Sequence, residues 1–136
     1  MRYLIVGGDH PRHLHYINSI CESCNVVGMV LEKRESFLPS PPAGLSEKDT
    51  GNFIRHFENR GKCESKYFGA KKKIPDVDVM YVDEGGLSSG KTVEYVKNLA
   101  VDAVFIFGSG MIRDPLFSIL PKLKINLHLG ISPRYR

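Results

Sequence analysis

The sequence predicts a doubly wound α/β domain: a parallel sheet of about five strands with helices on both faces. Apolar segments alternate with helical-looking ones along the whole chain. The apolar segments are continuously hydrophobic, which is typical of parallel strands covered on both faces. At 136 residues, with no internal repeat or low-complexity tract, the chain is long enough for one core. We therefore expect a single domain over residues 1–136.

Four elements account for the first third of the chain. Residues 2–6 (RYLIV) and 25–32 (NVVGMVLE) are apolar runs that predict two buried strands. Residues 11–24 carry apolar side chains at helical spacing, and a proline stands where the start of a helix tolerates one. Residues 36–46 (SFLPSPPAGLS) hold three prolines and a glycine, so we expect a loop.

A polar helix is predicted to begin at residue 46 or 47 and to end at about residue 68. Its spacing indicates that Phe53, Phe57 and Tyr67 face inward. Gly61 is a candidate break, because glycine is a poor helix former.

The second half of the chain continues the alternation. Residues 77–82 (VDVMYV) predict the third strand, residues 91–100 a helix, and residues 101–107 (VDAVFIF) the fourth strand. A short helix is expected over about 114–120, and residues 124–129 (KINLHL) predict the fifth strand. Ligands of such sheets bind beyond the carboxyl ends of the strands. The loops of interest therefore begin at Gly7, Glu32, Asp83, Gly108 and Gly130.

The composition of the chain argues against nucleic-acid binding and against a membrane protein. The net charge of +4 is mild, and much of it comes from residues 71–73 (KKK), Arg134 and Arg136. A lysine triplet is more often a solvated loop than a nucleic-acid surface. No apolar run approaches the roughly 20 residues that span a bilayer. The start, MRYLIVGGDH, is typical of a strand and not of a signal peptide, so we expect a cytoplasmic protein without a membrane partner.

The cysteines suggest neither a metal site nor a redox pair. Cys21 and Cys24 have C-x-x-C spacing, but the chain has no second such pair and no H-x-x-x-H. A redox pair belongs at a helix N-terminus, and this one falls late in a predicted helix. We expect these two cysteines and Cys63 to be reduced and partly buried, with no metal bound.

Residues 85–92 (GGLSSGKT) match the phosphate-binding pattern G-x-x-x-x-G-K-[ST] between a predicted strand and helix. A working phosphate loop normally follows the first strand and acts with a later acidic strand end. This segment follows the third strand, and no acid stands at the tip of the fourth. An ATP- or GTP-binding loop remains the alternative. The favoured interpretation is that Gly85 and Gly86 form a turn and that Ser88 or Ser89 caps the next helix.

Polar residues interrupt the end of the fifth predicted strand. Asn126 and His128 are two residues apart, so on a strand they project from the same face. Polar groups at the end of an apolar strand are costly unless they serve a site, although a capped strand end would also explain them.

Through Asn126 and His128, the sequence resembles the folate-dependent formyltransferases. This family includes the glycinamide ribonucleotide, methionyl-tRNA and amino-sugar formyltransferases. That family carries Asn-x-His on a strand end, then a loop with Pro and Arg-Gly. The matching residues are Asn126, His128, Pro133 and Arg136. Residues 101–112 (VDAVFIFGSGMI) are also similar to a family strand that runs into a glycine loop. The resemblance is specific over residues 101–136 and architectural before them.

The resemblance implies a Rossmann-like transferase that uses 10-formyltetrahydrofolate as formyl donor and needs no metal. It implies that Asn126 donates to the oxyanion formed when a primary amine attacks the formyl carbon. It implies that His128 assists removal of the amine proton. Backbone groups of Gly110, Met111 and Ile112 would line the pteridine pocket.

The acceptor amine is left open by the sequence: an amino-sugar nucleotide is one candidate and a tRNA another. Ser132, Arg136 and His10 are the candidate substrate contacts, and His10 clusters with His13 and His15 after the first strand. The family has Ser at the position of Gly130, and Leu-Leu-Pro where this chain has Ile-Ser-Pro.

The family's remaining strands and its catalytic aspartate lie beyond the matching segment. We therefore expect this chain to be only part of a catalytic unit and inactive by itself, or a non-catalytic relative. An uncovered sheet edge would favour a homodimer.

Overall fold

The computed structural model describes residues 1–33, 39–69 and 74–128, which form one parallel five-stranded sheet with helices on both faces. The strands are β1 (Tyr3–Gly8), β2 (Val26–Lys33), β3 (Val79–Asp83), β4 (Ala103–Phe107) and β5 (Leu123–Asn126). The helices are α1 (Pro11–Ser23), α2 (Glu47–Phe68), α3 (Gly90–Leu99) and α4 (Leu116–Ile119), with a 3₁₀ turn over Gly86–Ser88. The predicted doubly wound α/β fold is confirmed.

The strand order is β3-β2-β1-β4-β5, and every neighbouring pair is parallel. The chain builds outward from β1 through β2 to β3, then returns to the other side of β1 to form β4 and β5. The topological switch point therefore lies between β1 and β4. Their carboxyl ends, followed by α1 and by the loop after β4, border the crevice where such sheets bind ligands.

Apolar side chains fill both faces of the sheet, as the continuous hydrophobic runs predicted. Leu4 and Val6 of β1 belong to the cluster under α3 and α4, whereas Ile5 between them belongs to the cluster under α1. This alternation follows from the two-residue period of a strand. Helix α2 packs against α1.

The observed elements differ from the predicted ones at several points, and β5, predicted over residues 124–129, ends at Asn126. Strand β1 runs on to Gly8, because its glycines pair with β2 and Gly7 also pairs with β4. Gly61 does not end α2: it is buried within the helix. Tyr67 does not face inward, since it is 72% exposed. Phe53 and Phe57 are partly buried and pack on each other, with ring centroids 4.5 Å apart.

Strand β5 leaves apolar side chains in solvent. Leu123, Ile125 and Leu127 are each between 41% and 46% exposed. Ile125 pairs with Phe105 and so lies on the α1 side of the sheet, where 41% of its surface is exposed. Self-association through this edge stays a prediction.

Within the three described segments, no helix has the length and apolar character needed to cross a bilayer. The same segments contain no cluster of three or more His, Cys, Asp or Glu side chains arranged to hold a metal ion. Cys21 and Cys24 are free and partly buried, as expected, and burial raises the pKa of Cys21. Cys63 is also free, but it is exposed.

Candidate functional site

The main cavity has a volume of about 510 Å³ and lies over the carboxyl end of β4, beside the switch point. It is lined by Arg12, His13, residues 106–112, Phe117 and residues 126–128. Three separate parts of the chain thus meet there: the first turn of α1, the loop after β4, and the end of β5. Parallel strands bring these parts together because all their carboxyl ends face one edge of the sheet.

The residues that the sequence singled out at the end of the chain lie in this cavity. Asn126 is the last residue of β5, and His128 lies two residues beyond it. The Leu127 N–H donates to the Ile106 carbonyl at 3.0 Å, so the chain still follows β4 past the end of β5. Both Asn126 and His128 are solvent-exposed, and a ligand in the cavity could therefore reach their side chains.

The loop after β4, which includes residues 110–112, forms a second wall of the cavity. It begins at Gly108, whose φ of 73° is left-handed. Met111 and Phe117 contribute apolar surface that is 76% and 50% exposed, respectively. Exposed Met and Phe side chains beside a cavity offer a flat, adaptable contact for a planar ring.

His13 is the histidine of the N-terminal cluster that reaches the cavity. It is only 4% exposed, and its ring meets the edge of Phe107 at a centroid distance of 4.9 Å. The ring occupies space that glycines leave open: a Cβ on Gly8 would lie 2.4 Å from Nδ1, and one on Gly108 would lie 2.2 Å from Nε2. Glycines at two strand ends therefore make room for this imidazole.

Burial lowers the pKa of His13 from 6.5 to about 3, with further contributions from the charges of Arg12, His10 and Arg60. His13 is consequently neutral at physiological pH. A group with so low a pKa is a poor general base near neutrality, so proton transfer in this cavity would fall to another side chain.

Arg12 borders the cavity and is held by the outer helix. Its guanidinium donates to the Glu64 carboxylate of α2 at 2.5 Å, and Arg60 approaches the same carboxylate at 3.8 Å. Glu64 is 7% exposed, and charge-assisted contacts of this kind are stronger than those between neutral groups. The ion pair fixes the direction of the Arg12 side chain and places a cation beside the cavity.

A smaller cavity of about 390 Å³ lies beyond the ends of β2 and β3. It shares Gly110 and Met111 with the main cavity. Its other lining residues come from the end of β2, the turn after β3 and the segment before α4: Glu32, Glu84, Gly85, Leu87, Ser88, Arg113 and Asp114. The loop after β4 is thus a partition between two cavities.

The GGLSSGKT segment forms a tight turn and a helix cap. Gly85 has a φ of 81°, and the Ser89 hydroxyl accepts the Thr92 N–H at the start of α3. The Thr92 side chain is fully buried, and its hydroxyl donates to the Gly86 carbonyl at 2.9 Å. The Gly85 N–H donates to the protein's own Glu32 carboxylate. These contacts favour the structural interpretation, in which Ser89 is the cap.

Two predicted substrate contacts, Ser132 and Arg136, lie outside the described residues, as do Gly130 and Pro133. His10 is described and is 7% exposed, but it does not belong to the lining of either cavity. It stands at the N-cap of α1, with its ring 5.6 Å from that of His13.

Sequence reasoning did not single out Arg12, Phe107, Phe117 or the carboxylate contacts of Glu32. A signal was available for Arg12, because it follows the first strand and occupies the first turn of the next helix. Using that signal requires knowing that β4 lies next to β1, and no pattern within one strand reveals its neighbour.

A search of protein-family models gave no match to this chain, and a search of curated proteins gave none of significance.

Proposed function

We propose that this domain binds 10-formyltetrahydrofolate and serves the transfer of its formyl group to a primary amine. One observation carries the proposal: Asn126 and His128 lie in the same cavity as residues 110–112, at the carboxyl edge of the sheet. The formyltransferase resemblance requires these two segments to meet around one ligand.

The chemistry follows from the side chains. The amine nitrogen attacks the formyl carbon and forms a tetrahedral oxyanion, which the Asn126 amide N–H is suited to stabilise. The carbon–N10 bond then breaks. The amine loses a proton, tetrahydrofolate gains one at N10, and the formyl group stays on the acceptor. His128 is the candidate group for the proton, because it is exposed and borders the cavity, whereas burial lowers the pKa of His13 to about 3.

The donor's ring system fits the wall formed by the loop after β4. The Gly110 N–H already donates to Glu32, and its carbonyl accepts the Ser109 hydroxyl at 3.2 Å. Polar contacts to a pteridine would therefore fall mainly to the backbone of Met111 and Ile112. The acceptor amine would approach from the side of Arg12, whose charge suits an anionic group such as the phosphate of an amino-sugar nucleotide.

Asn126→Ala is expected to weaken binding of a stable 10-formyltetrahydrofolate analogue by roughly tenfold, the effect of losing one hydrogen bond to the formyl oxygen. Isothermal titration calorimetry on the full chain measures this directly. Asp102→Asn is the matched control, because Asp102 accepts the Arg2 N–H at the opposite end of the sheet, far from the cavity. That variant should bind the analogue like the wild type.

ATP with magnesium is titrated in parallel, on the wild type and on Lys91→Ala. If the wild type does not bind the analogue, the folate proposal is wrong. ATP binding lost in Lys91→Ala would assign the site to the GGLSSGKT segment instead.

A further inference from the structure

Glu32 is a buried carboxylate that joins two loops. It lies near the end of β2 and is 2% exposed. Its Oε2 accepts the Gly110 N–H at 2.5 Å, and its Oε1 accepts the Gly85 N–H at 3.2 Å. The two donors come from different loops, one after β4 and one after β3. A single side chain therefore ties the partition between the cavities to the GGLSSGKT turn.

These contacts are stronger than ordinary loop contacts. Hydrogen bonds to a carboxylate are roughly twice as strong as those between neutral groups. Among the described residues, no cationic side chain forms an ion pair with Glu32. A buried carboxylate depends on its hydrogen-bond donors, and losing one would leave a buried oxygen without that partner, at a cost in free energy.

The position of Gly110 is also restricted by space. A Cβ at Gly110 would lie 3.0 Å from Oε2 of Glu32 and 3.2 Å from Oε1. The carboxylate thus packs directly against the Gly110 backbone as well as accepting its proton. Met111, the next residue, borders both cavities and exposes 76% of its surface. Holding Gly110 in place consequently holds the wall that follows it.

We propose that Glu32 is a positioning residue: it fixes the Gly110 amide so that Met111 and Ile112 present a preformed surface to the ligand of the main cavity. Gly85 is the second anchor of the same carboxylate, which gives the GGLSSGKT turn a role without a nucleotide. The ligand part of this inference rests on the proposed folate function, whereas the loop part does not. A preformed wall favours binding because less conformational freedom is lost when the ligand arrives.

Glu32→Gln is expected to raise amide hydrogen exchange at Gly110 and Gly85 by about tenfold or more, relative to amides such as Val6 in β1. The Gln side chain turns its NH₂ toward one donor, which loses a hydrogen bond of about 1.4 kcal/mol or more. The other donor keeps only a neutral acceptor oxygen, whose hydrogen bond is roughly half as strong as one to a carboxylate, so both amides are affected. A loss of about 1.4 kcal/mol corresponds to a tenfold change in the exchange rate. NMR-detected exchange on the full chain gives the site-resolved measurement. Asp102→Asn, the same chemical change at the opposite end of the sheet, should leave both amides as in the wild type.

The same variants are then titrated with the 10-formyltetrahydrofolate analogue. Glu32→Gln should bind the analogue roughly tenfold more weakly than the wild type does. The melting temperatures of Glu32→Gln and Asp102→Asn are measured as well, so that a general loss of stability can be distinguished from a loss of binding. If Glu32→Gln does not fold, Glu32→Asp replaces it, because it keeps the charge but withdraws the carboxylate by about 1.5 Å.

The outcomes separate the two proposals. Unchanged exchange at Gly110 overturns the positioning role, whatever the ligand. Raised exchange with unaltered analogue affinity overturns its link to binding. If the wild type does not bind the analogue but amide exchange rises in Glu32→Gln, the folate function is refuted. The role of Glu32 in holding the two loops is then still supported.

Discussion

Gly108→Ala is expected to lower the free energy of unfolding by about 3 kcal/mol, through two additive effects. Gly108 has a φ of 73°, a conformation that costs an L-residue with a Cβ roughly 1–2 kcal/mol. The new Cβ would also lie 2.2 Å from Nε2 of His13 and 2.4 Å from its Cε1. Overpacking of that kind typically adds about 1–3 kcal/mol. Urea unfolding at pH 7 measures the loss.

Gly85→Ala separates the two effects. Gly85 has a φ of 81°, close to that of Gly108, but a Cβ added there would have no neighbouring atom within 4 Å. This control should therefore lose only the backbone part, about 1 kcal/mol. Equal losses in the two variants would show that His13 does not occupy the space above Gly108.

A double variant tests the identity of the clashing group. In a His13→Ala background the space above Gly108 is vacated, so adding Gly108→Ala should cost about as little as Gly85→Ala does. The coupling between the two positions is then the measured difference. If it is near zero, the imidazole does not contact the Gly108 backbone.

The position of the His13 ring beside Gly8 and Gly108, at the ends of two strands, could not be predicted from the sequence, whereas the strands themselves could. The strands were predictable because residues such as 25–32 and 101–107 are mostly apolar without alternation, a pattern typical of a sheet buried on both faces. Their carboxyl ends were therefore also predictable as the functional edge. The meeting of Asn126 and His128 with residues 110–112 followed from that rule and from the family resemblance together.

Long-range pairing was not predictable in the same way. Neighbouring positions of β1 and β4 come from segments about a hundred residues apart, and their adjacency depends on strand order. Hence neither the contact between His13 and Gly108 nor the bond from Gly110 to Glu32 could be read from local patterns. Gly61 illustrates a different failure: α2 continues through this buried glycine despite its intrinsic cost in a helix, because helix propensity is a weak guide within a folded protein.

Acidification from pH 7 to pH 5 is expected to lower the free energy of unfolding by about 2 kcal/mol through His13 alone. The unfolded chain binds a proton at this histidine below its ordinary pKa of 6.5, whereas the folded protein holds it neutral down to about 3. Between these values the unfolded state binds more protons, so stability falls as pH falls through 6.5 and levels off below about 3. The pKa of His13 is lowered first by burial and then by electrostatic interactions with Arg12, His10 and Arg60.

His13→Leu isolates this contribution, because leucine is similar in size and does not titrate. Urea unfolding at pH 7 and pH 5 gives each protein's loss on acidification, and the loss in His13→Leu should be smaller than in the wild type by about 2 kcal/mol. Other titrating groups cancel in this comparison. His15→Gln is the matched control, since His15 is exposed on the same helix, and it should keep most of the wild-type loss. Identical losses in His13→Leu and the wild type would mean that His13 accepts its proton without unfolding, and the imidazole would then be a cationic wall of the cavity near neutral pH.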